Sequence, residues 1–166
     1  MGRMNNELLV AMVAHTGKEL RNHHLYLAAY SWARATGWEG FSKRWKKAAI
    51  EEAKHAQNFV KFCARYGSHF APWPELDKDP IQESVEELAA LEYALESDTE
   101  NSMSNLVVLA EKAGDMAAVE WLSGKLLEQQ KDTKQSDDFA ARVSDAARSG
   151  DGAMVILDRQ LERKGW

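Results

Sequence analysis

Cysteine is almost missing from this chain: Cys63 is the only one among 166 residues. No internal disulfide can form, a cysteine-based zinc site is excluded, and a reducing, cytoplasmic location is expected. Long apolar runs are missing too. The first apolar run, LLVAMVA, is bounded by Glu7 and His15. It is too short to span a bilayer and lacks a cleavage pattern after it, so no membrane partner is expected. Positive charge is never concentrated. The net charge is −5, with no long basic run and no basic–aromatic alternation, which argues against nucleic acid as a partner. The three prolines all fall between positions 72 and 80, leaving the rest of the chain free of helix breakers.

What is present is helix-forming sequence. With 45% hydrophobic residues the chain reads as all-α and globular, a single domain over residues 1–166. A first periodic segment runs from about Asn5 to Ala35 and stops at Thr36-Gly37. A second runs from Glu39–Phe41 to Tyr66, with Gly67 placed to end it. A third begins between Pro80 and Ser84, where Ser84-Val85-Glu86-Glu87 has capping-box order, and ends at Ala113-Gly114. Asp115 caps a fourth reaching Arg148, and a short fifth covers about Asp151 to Arg163. The four long segments, roughly 28 to 34 residues each, would be about 40 to 50 Å long, a length typical of a four-helix bundle.

The connections predict the topology. The first-to-second and third-to-fourth links are a few residues each and imply antiparallel neighbours. The second-to-third link, GSHFAPWPELDKDP, is too long for a tight turn and suits a crossover along the bundle. It would leave the second and third helices parallel, the arrangement of a ferritin-like four-helix bundle.

The chemistry lies in polar residues that interrupt the apolar stripes. On the second helix Trp45, Ala48, Glu52, His55, Phe59, Phe62 and Tyr66 follow steps of four and three. Glu52 and His55 stand on that seam and Glu51 flanks it. On the first helix Met12, Glu19, His23, Tyr26 and Tyr30 share a face; His23 reads as a hydrogen-bonded core histidine, and His15, His24 and His69 receive no role. The fourth carries Leu122, Leu126, Gln129, Asp132, Ser136, Phe139 and Val143. On the third, Ala89, Tyr93, Glu96, Met103, Val107 and Ala110 form a stripe that Glu100 shares and Glu92 borders. An acid or its amide thus lies midway along each long helix. Burying one unpaired carboxylate costs several kcal/mol, and cations shared at mid-bundle would offset that. Carboxylates with one or two imidazoles and no thiolate suit iron or manganese.

These residues resemble the ferritin family, specifically its non-haem bacterial type. The likeness runs from KELRNHHLYLAAYSWA through GFSKRWKKAAIEEAKHAQ and LEYALES to LEQQKDT and DGAMVILDRQL. It rests on the Glu19–Tyr26 spacing, the Glu51-Glu52-x-x-His55 run and the Glu128-Gln129-x-x-Asp132 segment. The resemblance implies that Glu19, Glu52 and His55 hold one iron, with Glu52 bridging to a second held by Glu96 near Gln129. Tyr26 would stand beside the centre, Glu51 and Glu128 would serve a third iron, and Asp132 would lie at its edge. It further implies Fe(II) oxidation by oxygen or peroxide, storage of Fe(III) mineral, and a homo-oligomeric shell of twenty-four subunits with the fifth helix at its symmetry axes. No haem is expected, because none of the six methionines lies in a haem-binding context.

The sequence also departs from its relatives. Lys131 follows Glu128 where a bacterioferritin or rubrerythrin has its second histidine, and Lys54 and Gln57 occupy cavity-facing positions that are acidic in iron-oxidising animal chains. The alternative reading is a soluble di-iron oxidase or peroxidase of rubrerythrin-like type without storage. That class usually has the second histidine that this chain lacks.

Overall fold

The computed structural model describes residues 4–70, 72, 74 and 84–164. Five helices follow in order: α1 Asn6–Thr36, α2 Glu39–Arg65, α3 Val85–Lys112, α4 Met116–Ser149 and α5 Asp151–Lys164; there is no strand among the described residues. Their ends are set by local chemistry. The Asn5 side chain accepts from the backbone N–H groups of Glu7 and Leu8, Ser84 accepts from Glu87, and Asp115 accepts from Ala118. Each satisfies donors that a helix N-terminus leaves without partners. Gly37 takes φ 86°, the left-handed conformation that closes α1 and lets the chain reverse within two residues.

Cross-helix bonds fix the topology. His15 meets Ser102, Asn22 meets Thr99 and Tyr26 meets Glu96, so α3 descends as α1 rises. The short links make α1 and α2 antiparallel, and α3 and α4 likewise. Thus α2 and α3 run parallel, as a long crossover requires. Most of the crossover itself, and the Pro80–Glu83 approach to α3, lie outside the described residues.

Two apolar layers fill the bundle. One packs Phe41, Trp45, Phe139 and Val143 with Met154, Leu157 and Leu161 of α5. The other packs Leu8, Met12, Phe59, Phe62, Met103, Leu106 and Leu122, with Trp121 stacked on Phe62 at 4.2 Å between centroids. Burying each such side chain contributes roughly 1.5–3 kcal/mol. Helix α5 folds back on α2 and α4, where Gly40 makes room for it. A Cβ there would come within 1.9 Å of the Asp158 carbonyl oxygen. The Asp158 side chain accepts from the Phe41 backbone N–H at 2.9 Å, supplying α2 with the cap its own sequence lacks.

Two stripes lie differently from their sequence reading. On α1 the buried seam is Leu8, Met12, His15, Glu19, Asn22, Tyr26, Ala29 and Ala33, while His23 and Tyr30 are only partly covered. On α3 Leu88, Glu92, Leu95, Thr99 and Leu106 are buried and Tyr93 is exposed. Of the expected α3 stripe, Ala89, Glu96, Met103 and Ala110 are buried; Tyr93 is the member that departs, its large amphipathic ring meeting water while Leu and Thr residues beside the stripe widen the buried face. No described helix is long and apolar enough to cross a membrane.

Candidate metal centre

Between the two apolar layers, the bundle interior turns polar. Glu19 from α1 and Glu52 from α2 are both buried, at 1% and 3% exposure. His55, one turn after Glu52, is partly exposed. The three offer ligand atoms within 4.8 Å of one another and form a candidate metal site. Helical spacing brings Glu52 and His55 to one face, and the antiparallel α1–α2 pairing sets Glu19 opposite them.

These groups lack the partners that buried carboxylates need. No hydrogen-bond donor serves either oxygen of Glu19 or Oε2 of Glu52. The two carboxyls touch each other, which is favourable only with a shared proton or a cation between them. Glu19 Oε2 lies 3.8 Å from His55 Nδ1, and Glu19 Oε1 lies 3.0 Å from His15 Nε2 without hydrogen-bond alignment. The donor set of two carboxylates and an imidazole therefore fits a cation.

Glu96 is in a different condition. Tyr26 donates its hydroxyl to Oε1 at 2.6 Å and Gln129 donates Nε2 to Oε2 at 2.7 Å. Gln129 Nε2 also reaches the Glu96 carbonyl at 3.2 Å. The α3 and α4 side of the centre is thus held by hydrogen bonds, while the α1 and α2 side is not.

Electrostatics follow the burial. Desolvation lifts Glu19 to about 7 and, joined by the charge on Glu52, lifts Glu96 to about 8. Burial and then the Glu19 charge push Glu52 well above its ordinary range. Burial also raises Tyr26 and lowers both His55 and His15, the latter to about 3. The imidazoles are therefore neutral at pH 7, the form that binds metals, and the carboxyls hold protons that a cation would displace.

The remaining expected residues lie on the approaches. A cleft of about 390 Å³ opens onto Glu52, His55 and Glu96 between α2, α3 and α4, with Glu51, Asp132, Lys47 and Arg44 around it. Asp132 is half-buried there, and burial with the charges of Glu51 and Glu128 raises it to about 6. Glu51 is exposed and 3.9 Å from Lys47. Glu128 is exposed, paired with Lys125 at 2.5 Å, and borders a narrow pocket on the other side of His55. Lys54, Gln57 and Lys131 are exposed, and His23 bonds through Nδ1 to the Ala49 carbonyl at 2.6 Å.

Two buried polar residues escaped the sequence reading of this region, and a third, Glu92, was placed only at the border of its stripe. His15 and Asn22 fall on the same alternating four-and-three register as Glu19 and Tyr26, so extending that register strictly would have found them. Glu92 lies one turn before Glu96; Arg44 and the Trp45 indole take up its carboxylate. The partner residues on α2 carried no signal of that contact.

No curated protein sequence matches the chain. Solved structures do. The open pore ferritin of the hyperthermophilic archaeon Archaeoglobus fulgidus aligns with a TM-score of 0.90 at 20% identity, covering 98% of each chain. Its closed form, engineered by site-directed mutagenesis, aligns at 0.88 and 20% identity over 96% of each. An iron-soaked variant of PmFTN aligns at 0.83 and 24% identity, covering 93% of this chain and 98% of that one. Identities this low establish the fold. The Ferritin-like domain family model matches residues 10–145, most of the bundle, and the chain therefore belongs to that family.

Proposed function

We propose that this chain is an iron-storage ferritin that oxidises Fe(II) within its own four-helix bundle. The observation that carries the reading is the set of buried, unpartnered oxygens on Glu19 and Glu52 beside the neutral imidazole of His55. Such oxygens are costly in an apolar interior and become favourable when they face a cation.

In this reading Glu19, Glu52 and the neutral His55 receive the first Fe(II), and the two carboxyls give up the protons they hold. Glu52 reaches a second Fe(II) together with Glu96, which Tyr26 and Gln129 hold in place. Gln129 binds more weakly than a carboxylate, so the second ion leaves more readily. Asp132, Glu51 and Glu128 guide ions along the approaches by charge. Each Fe(II) gives up one electron. Oxygen takes two electrons and two protons and departs as hydrogen peroxide, or peroxide takes them and departs as water. Fe(III) then passes to a mineral inside a homo-oligomeric shell of ferritin type, in the cytoplasm. Exposed Val10, Leu27, Ile50, Val108 and Ile156 supply apolar surface for contacts between copies.

Aerobic addition of Fe(II) to the purified protein tests this. A ferric product retained by a large assembly through size-exclusion chromatography is expected. Turnover without retained iron would point to a rubrerythrin-like oxidase, and no oxidation above that of free Fe(II) would remove the ferroxidase assignment.

A further inference from the structure

His15 lies outside the Glu19, Glu52 and His55 set, yet it touches that set's most deeply buried member. Its ring is 1% exposed and sits between two helices. Nδ1 is 2.8 Å from Ser102 Oγ on α3, and Nε2 is 3.0 Å from Glu19 Oε1, one turn further along α1. The ring also packs on Phe59, with centroids 4.5 Å apart. Neither Nε2 nor either Glu19 oxygen makes an aligned hydrogen bond among the described residues.

The two oxygens of Glu19 therefore face different neighbours. Oε1 looks toward His15, and Oε2 looks toward His55 at 3.8 Å and the rest of the candidate site. We propose that His15 is a positioning residue for Glu19: its Nε2–H holds Oε1 and leaves Oε2 to the metal. Ser102 completes the device by donating its hydroxyl to Nδ1, which fixes the tautomer that carries the proton on Nε2. With a cation on Oε2, the negative charge left on Oε1 draws the N–H into line; contacts of this kind are often poorly aligned before the site is loaded. Partners behind a ligand orient it and set its basicity, and their loss typically lowers metal affinity 10- to 100-fold.

The inference rests on the metal site proposed above, and Co(II) as a redox-inert probe separates the two. Binding to the whole purified protein is followed by calorimetry and by the visible Co(II) spectrum. His15→Leu, close in size but without a donor, is expected to lower affinity roughly 10- to 100-fold and to change the band shape, because Glu19 is freed to turn or chelate. His15→Gln, whose amide can donate to Oε1, is expected to restore affinity to within about threefold of wild type. Wild-type affinity and spectrum in a folded His15→Leu protein would overturn the proposal, as would an equal loss in folded His15→Gln. Should His15→Leu fail to fold, Ser102→Ala leaves the ring in place and removes only the hydroxyl; it is expected to weaken Co(II), and unchanged binding overturns the proposal. If Glu52→Ala and His55→Ala bind Co(II) as wild type does, the site itself is refuted and His15 with it.

Discussion

Glu92 and the Glu19–Glu52 pair are carboxylates of the same bundle, all buried, and in opposite conditions. Arg44 embraces Glu92, its Nε at 3.1 and 3.2 Å from the two oxygens and its NH2 group 2.5 Å from Oε1. The Trp45 indole donates to Oε2 at 3.0 Å, and the guanidinium rests 3.9 Å above the Phe139 ring. Neither oxygen of Glu19 has a hydrogen-bond partner, and neither has Oε2 of Glu52. Burial therefore does not tell these acids apart. Saturation does: Glu92 is complete within the protein, whereas Glu19 and Glu52 are complete only with something added.

That contrast can be broken by mutation, starting with the largest effect. Glu92→Ala leaves the mostly buried Arg44 unpaired and should destabilise the fold by roughly 3–5 kcal/mol. Denaturant unfolding would show it, while Co(II) affinity of the folded fraction stays near wild type. A loss of Co(II) binding without loss of stability would make Glu92 a ligand and erase the distinction. Glu52→Gln should act in reverse. Fe(II) oxidation should fall by about 100-fold or more, beyond the range for residues behind the ligands. The metal-free protein should melt no lower than wild type, because the amide keeps the size of the protonated acid and can never carry a buried charge. A melting point several degrees lower would mean that Glu52 is structurally satisfied.

The pH dependence sharpens the same comparison. Glu19 and Glu96 titrate at about 7 and about 8 in the folded chain, above the ordinary carboxyl value near 4.3. Between those limits the folded state binds more protons than the unfolded one, so stability falls as pH rises. Their contribution is fully present below about pH 4 and is lost through pH 7 and 8. Metal-free protein should accordingly melt at a lower temperature at pH 8 than at pH 6, and saturating Co(II) should flatten or reverse that slope by replacing the protons. A metal-free melting temperature that rises over this interval would contradict the picture. The smallest effect belongs to Asp132, half-exposed at the cleft. Asp132→Asn should slow Fe(II) uptake roughly two- to five-fold, equivalent to about 0.5–1 kcal/mol, with no change in melting temperature.

Much of this was legible in the residues. Helix ends followed from Asn5, Ser84, Asp115 and Gly37, whose backbone and capping preferences act locally. The α2 seam followed from the regular recurrence of Trp45, Glu52, Phe59 and Phe62. The inward positions of Glu19 and Gln129 were visible because each interrupts an apolar row. The third helix was less readable. Glu92 and Glu96 differ by only about 40° around a helix axis, and both fit within the wide face a bundle helix can bury.

The sequence by itself therefore determined the helices, their lengths, the parallel α2–α3 arrangement and the presence of acids at mid-bundle. Those follow from short-range preferences and from the period of the chain. Which acid meets which partner was decided only by tertiary structure. The rotation of α3 gave Glu92 to Arg44 and Trp45, and the approach of α3 to α1 set Ser102 behind His15. Both depend on side chains far apart in sequence meeting across helices, a contact that no periodicity within a single helix records.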